Sequence, residues 1–272
     1  MVEKAILLDM EKCIACRACQ VACKQWNELP AEETTFFAAA GGYQNPAELS
    51  PSTFTLIKFN EMEKEGKLWW LFRVHSCMQC VDPACVKACP VEPVKAMTYV
   101  KETGATYVNR ELCIGCGSCR EYCPFTIPVI DTEAEKSTKC NFCFDRLENG
   151  MEPACAKACP TDCLVFGDRE QILEMAHKAV ERLSAKGRHP VIYGEKELGS
   201  GTKKIYVLPE PLEYYPDLPK NPKVSEDIGL LHELLNPPSS ILTGLGLVFG
   251  GVSWVANRKK IIIEESKSEK EG

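Results

Sequence analysis

The sequence predicts an α+β fold in which two interleaved cysteine-rich modules carry β-hairpin insertions and are followed by one C-terminal transmembrane helix. Three observations predict it. Sixteen of the seventeen cysteines in 272 residues fall into four quartets, two pairs of β-rich runs are each joined by a short turn, and eighteen residues near the C-terminus carry no charge.

The quartets are Cys13, Cys16, Cys19, Cys23; Cys77, Cys80, Cys85, Cys89; Cys113, Cys116, Cys119, Cys123; and Cys140, Cys143, Cys155, Cys159. Three of them close in Cys-Pro, at Cys89-Pro90, Cys123-Pro124 and Cys159-Pro160, as bacterial cubane-cluster runs do. Three thiolates from one tight loop reach three corners of a cubane, and the fourth corner comes from elsewhere. In two-cluster ferredoxins the last Cys of a run ligates the other cluster, so quartets work in pairs and each pair makes one ferredoxin-like 2×[4Fe-4S] module. Disulfides need separated, well-aimed partners, which runs of closely spaced cysteines do not offer. Four-cysteine zinc sites are the nearer rival, and the fourth quartet alone is ambiguous. The compact C-x2-C-x2-C-x3-C runs at Cys13 and Cys113 do not close comfortably round one tetrahedral ion. The expected cofactors are therefore four [4Fe-4S] clusters, with iron held by these sixteen cysteines. Cys163 is read as a small buried thiol.

In chain order, a loop rich in Ala, Gly and Pro runs from Pro30 to Pro51. A hairpin follows, TFTLIKFNE from Thr53 and KLWWLFRV from Lys67, turning at Glu63 to Gly66; Trp69 and Trp70 are read as core or interface residues. A second hairpin, AMTYV from Ala96 and ATYVN from Ala105, joins the second and third quartets as in a ferredoxin. Those two then form one module, and the first and fourth quartets form the other. The expected ligand sets are Cys13, Cys16, Cys19 with Cys159; Cys140, Cys143, Cys155 with Cys23; Cys77, Cys80, Cys85 with Cys123; and Cys113, Cys116, Cys119 with Cys89. Residues 1–76 with 136–168 make the first module, including a hairpin insertion, and 77–135 the second. A helix and a proline-rich arm occupy 169–238. The helix begins at Asp168 as N-cap, runs from Arg169 to about Lys186 with Ile172, Met175, Ala176, Ala179, Val180 and Leu183 inward, and stops at Gly187. His177 on it, and His75, His189 and His232, make no metal-spaced pair. A short strand, KKIYVLPEP, leads into the arm (Pro209, Pro211, Pro216, Pro219, Pro222), which reads as a spacer or a wrap round a neighbour.

Residues 239–256, SSILTGLGLVFGGVSWVA, would form a helix about 27 Å long, enough to cross a bilayer's hydrocarbon core. A buried or interfacial helix is the alternative. The absence of a polar face, Trp254 near one end and the Gly246/Gly250 step favour a span. Arg258, Lys259, Lys260, Lys267 and Lys270 follow it, which puts the 257–272 tail in the cytoplasm and the cluster domain on the periplasmic face. MVEKAILLDMEKC has no apolar stretch with a small-residue cleavage site, so export is expected to rely on a partner that carries a signal. A net charge of −6, with Lys and Arg spread along the chain, argues against nucleic acid as a partner.

Beyond the quartets, CRACQVACKQWNELP, GGYQNPAEL, CNFCFDRLENGMEPACAKACPTDCLVFGD and IYVLPEP are similar to formate dehydrogenase β subunits, the four-cluster iron–sulfur subunits of membrane-bound molybdenum or tungsten bis-pterin oxidoreductases. The resemblance covers nearly the whole chain, and Asp162-Cys163 stands where the family often has Gly-Ala. It implies a catalytic Mo/W-bis-pterin α subunit, this chain as conductor, and a cytochrome b γ subunit passing electrons to quinone. No triad, phosphate loop or nicotinamide fingerprint is present, so this chain is expected to be non-catalytic. Arg17, Lys24, Lys87, Arg120, Lys139 and Lys157 lie beside ligands and are candidates for raising cluster potentials. The same frame serves membrane-bound hydrogenases and tetrathionate, polysulfide or sulfoxide reductases, and a lone ferredoxin-like carrier is a rival of another class.

Overall fold

The first residues of the chain alternate in a way that decides the architecture. In KAILLD, Ala5 and Leu7 point to one face and Ile6 and Leu8 to the other, and all four are buried. A strand buried on both faces must lie between two layers, and this one does. The computed structural model describes residues 3–35, 43–64, 66–225 and 228. The described residues up to 225 form one compact unit.

The elements, in order, are β1 (Lys4–Asp9), α1 (Ala18–Trp26), β2 (Thr55–Lys64), β3 (Lys67–Ser76), α2 (Ala84–Lys87), β4 (Met97–Tyr99), β5 (Thr106–Val108), α3 (Ser118–Glu121), β6 (Val129–Asp131), β7 (Lys136–Thr138), α4 (Phe144–Glu148), α5 (Ala154–Lys157), β8 (Leu164–Asp168), α6 (Arg169–Ala185), β9 (Val191–Tyr193) and β10 (Lys204–Leu208). One four-stranded sheet has the order β8-β1-β10-β9. β1 runs parallel to β10, with Leu7 opposite Ile205, and antiparallel to β8. The other sheets are the hairpins β2–β3, β4–β5 and β6–β7.

On one side of the sheet, Ile172, Ala176, Ala179 and Leu183 of α6 pack against Ala5, Leu7, Ile205 and Val207. On the other, Ile6, Leu8, Tyr206 and Leu208 share a core with Cys19, Cys155 and Cys163. The sheet therefore separates α6 from the cysteines. Arg182 of α6 donates to Asp9 (2.8 Å) and Glu11 (3.0 Å), and Lys186 to Glu11 (2.7 Å), fastening the helix end to the lead-in of the first quartet.

Both expected hairpins form. The expected helix forms too, from Arg169 to Ala185, and ends where Gly187 takes φ +73°. Asp168 occupies its N-cap position but makes no capping bond; its carboxylate is drawn to Lys4 on the neighbouring strand. Met175, expected to face inward, is exposed. The arm also departs from expectation. Up to residue 225 it is not a free spacer: Tyr215 and Leu218 are buried in the main core, Tyr193 donates to the Pro219 carbonyl at 2.9 Å, and Asp217 pairs with the buried Arg73 of β3. Apolar rings among the prolines make folding back favourable. Trp69 packs on Tyr214 with ring centroids 5.4 Å apart, whereas Trp70 is half exposed beside Phe59 and Phe72. The expected span 239–256 and tail lie outside the described residues; no helix among the described residues is long and apolar enough to cross a membrane.

Candidate functional site

Each quartet opens in a loop whose backbone turns left-handed between ligands. Ala15 and Arg17 do so between Cys13 and Cys19, Gly115 and Gly117 between Cys113 and Cys119, Gln79 between Cys77 and Cys80, and Phe142 and Cys143 in the fourth quartet. Such turns aim successive N–H groups into one concavity, the arrangement that binds anions. At Gly115 no side chain fits, since a Cβ would stand 2.4 Å from the Glu135 carbonyl oxygen. The amides of Ser137, Phe142 and Met97 donate to the sulfurs of Cys113 (3.3 Å), Cys140 (3.4 Å) and Cys89 (3.5 Å).

The thiols assemble across the sequence. Cys19 lies among Cys155, Cys13, Cys159 and Cys16, and Cys23 among Cys140, Cys155 and Cys143. Cys80 lies with Cys77, Cys85 and Cys123, and Cys119 with Cys116, Cys113 and Cys89. The last Cys of each run thus stands with the partner run. Two sulfur pairs act on one another across sets: Cys19 with Cys155 and Cys85 with Cys119. Cys16 and Cys116 are the exposed cysteines. Burial first, and then the neighbouring sulfurs, push Cys19, Cys23, Cys80 and Cys143 upward, Cys143 to about 12. Sulfurs crowded in this way become thiolates only when positive charge is placed among them.

Cys163 is buried, as expected, but not isolated. Its thiol lies beside Cys159 and Cys13 and is the largest influence lowering both, Cys159 to about 4 and Cys13 to about 7. It is a fifth thiol beside the first set.

Of the six basic residues singled out in the sequence, only Lys139 lies inside. Lys24 is bound to Glu32 and nearby carbonyls, Arg120 to the Pro128 carbonyl, Lys87 to Asp82, Lys157 to Glu152, and Arg17 to the Tyr43 carbonyl. Sequence reasoning missed three buried residues that matter more. Gln79 donates to the Thr106 (3.1 Å) and Cys140 (2.8 Å) carbonyls and accepts from the Thr106 amide (2.9 Å), stitching the second quartet to the fourth. Lys203 and Lys204 carry two buried cations on β10 and its approach. A Gln in a quartet loop and two lysines before a β-rich run carry no signal of burial.

No group of three or more His, Cys, Asp or Glu able to hold a single metal ion occurs among the described residues. The thiol sets, the sulfur-directed amides and the buried lysines fit a larger anionic group. Residues 68–169 match the family described as "4Fe-4S dicluster domain" and residues 10–26 the "4Fe-4S binding domain". Fold and thiols together define a ferredoxin-type electron-transfer protein that carries 4Fe-4S clusters. The chain is 40% identical over 273 residues, 98% of its length and 90% of the relative's, to the nitrate-inducible formate dehydrogenase iron–sulfur subunit of Escherichia coli K12. It belongs to the formate dehydrogenase iron–sulfur subunit family. Formate dehydrogenase 2 subunit beta (cytochrome c-553) of Nitratidesulfovibrio vulgaris is 37% identical over 78% of this chain and 96% of its own. The B subunit of the Wolinella succinogenes polysulfide reductase is 33% identical over 74% of this chain and 91% of its own.

Proposed function

We propose that this chain is the non-catalytic conductor of a membrane-bound formate dehydrogenase. Its sixteen cysteines hold four [4Fe-4S] clusters in the swapped sets Cys13/Cys16/Cys19/Cys159, Cys140/Cys143/Cys155/Cys23, Cys77/Cys80/Cys85/Cys123 and Cys113/Cys116/Cys119/Cys89. The observation that carries the reading is the neighbour order of the thiols. The Cys13 set lies within electrostatic reach of the Cys140 set through Cys19 and Cys155, and the Cys77 set within reach of the Cys113 set through Cys85 and Cys119. The exposed Cys16 and Cys116 belong to the two outer sets. That is the plan of a wire with an exposed cysteine in each of its two end sets.

Clusters of this type, when bound, accept and pass single electrons. The chain's residues do the rest. Left-handed loop residues aim N–H groups at the sulfurs, Ile6, Leu8 and Tyr206 exclude water from the first module, and Gln79 holds the two modules in register. A Mo/W-bis-pterin α subunit supplies the electrons of formate at one end. The C-terminal span, 239–256, anchors the chain with its cluster domain on the periplasmic face and its tail in the cytoplasm, and a cytochrome b γ subunit accepts the electrons. The similarity to formate dehydrogenase subunits over nearly the full chain supports formate over a sulfur substrate. The test is anaerobic extraction of the native complex, addition of formate alone, and electron paramagnetic resonance of the clusters with dithionite as the full-reduction control. Formate reduces them if the reading holds; clusters reduced by dithionite and not by formate would reject it and leave hydrogen or polysulfide as donor or acceptor chemistry to try.

A further inference from the structure

Lysine is among the residues least often buried without a charged partner, yet two lysines are buried at the junction of the modules. Lys204 is 2% exposed and Lys139 5% exposed. The Lys204 ammonium donates to the Ser76 hydroxyl, one residue before Cys77. Lys139 donates to the carbonyls of Thr106 and Cys140, the latter at 2.9 Å. Among the described residues the ion pairs include neither. Their neighbour Lys203 differs, standing 3.8 Å from Glu3.

A buried cation with neutral partners costs several kcal/mol, so the fold must place negative charge within reach. The groups that act on Lys204 are the Cys140 and Cys155 sulfurs, then the Tyr206 hydroxyl, then the Cys77 sulfur, so sulfurs of two different sets are within its reach. Lys139 acts on Cys80, Cys85 and Cys123. Backbone bonds fix the placement, because the Lys204 amide donates to the Met78 carbonyl (3.3 Å) and the Lys203 amide to that of Gln79 (2.9 Å). β10 thus inserts its lysine at the seam between the fourth and second quartets.

We infer that Lys204 is a positioning residue for electron transfer: a fixed positive charge, shared by the two inner clusters, that favours their reduced forms and bridges the gap between modules, with Lys139 reinforcing the Cys77 set alone. The inference rests on the four-cluster reading above. No bond forms or breaks; each inner cluster gains or loses one electron beside an unchanged ammonium.

The test is a mediated redox titration of the anaerobically purified native complex, followed by electron paramagnetic resonance, with signals assigned from single-cysteine variants. In K204Q the reduced-to-oxidised ratio of both inner clusters at a fixed poise should fall about tenfold, equivalent to about 59 mV for a one-electron couple, while the outer two stay put. K139Q should shift the Cys77-set cluster alone, K204R should restore the wild-type titration, and K178Q, on the exposed face of α6, should change nothing. A K204Q complex with full iron content and four unmoved midpoints overturns the inference, as does an equal shift of all four. If K204Q loses the inner clusters, retention in K204R supports the counter-ion role and loss in both variants refutes it in favour of packing. Dithionite-poised titration reads Lys204 even if formate fails as donor, so the two conclusions fail separately.

Discussion

Removing Cys159 together with Cys163 tests the swapped ligand sets most directly. Replacing Cys159 alone leaves a ready substitute, because the Cys163 thiol already lies against Cys159 and Cys13; the perturbation is therefore C159A/C163A. The Cys159 sulfur acts on Cys13 and Cys19, and the thiols surrounding Cys23 are those of the fourth run. Loss should fall on the first-motif cluster although both replaced residues lie at the end of the fourth motif. With four equal clusters, the iron and acid-labile sulfide carried by this chain should drop by about one quarter. The paramagnetic signal that disappears should be the one missing from C13S, and C23S should instead match C140S. Iron analysis and low-temperature spectra of the reduced complex are the assay. A double variant whose missing signal coincides with that of C140S refutes the swap.

Three further outcomes follow from the packing. Leu183→Ala should cost about 3 kcal/mol in anaerobic urea unfolding while leaving the cluster spectra unchanged, since Leu183 faces the side of the sheet away from the cysteines. Asp217→Ala should cost about 2 kcal/mol, less than for a fully enclosed pair because Asp217 is a quarter exposed, and should expose the 209–222 arm to protease; adding Arg73→Met should recover much of that loss. Deleting 239–256 should release the complex from washed membranes with its cluster content intact, and membrane retention of the deleted form would remove the anchor.

The parts of this molecule that were legible in the sequence are those where chemistry forces a spacing. Cubane ligation dictates the quartets, β-rich runs joined by a turn mark β2 and β3, and a 3.6-residue period marks α6. The four-stranded sheet was not legible. β10 was read as the short strand KKIYVLPEP, but nothing in it names its partners; β9 has three residues; and β1 reads as a mere approach to Cys13. Their pairing is tertiary, which no local pattern encodes. The same holds for Lys204, whose burial depends on sulfur charge brought from residues 77, 140 and 155. The proline-rich arm misled for a related reason. Its prolines signal an extended path, but Tyr214, Tyr215 and Leu218 decide where that path lies.

The parallel pairing of β1 with β10 has a temporal consequence. The two strands lie about two hundred residues apart in sequence, and all four quartets are made between them. During synthesis every ligand has left the ribosome before the strand that seals the sheet exists, and non-local pairings of this kind form late. Until β10 arrives, the face of β1 that will abut it is bare and the Lys204 ammonium is missing from the seam. The seam that Lys204 completes is therefore closed by a strand made after all sixteen cysteines of the quartets, so the junction of the two modules is the last part of the sheet to be supplied.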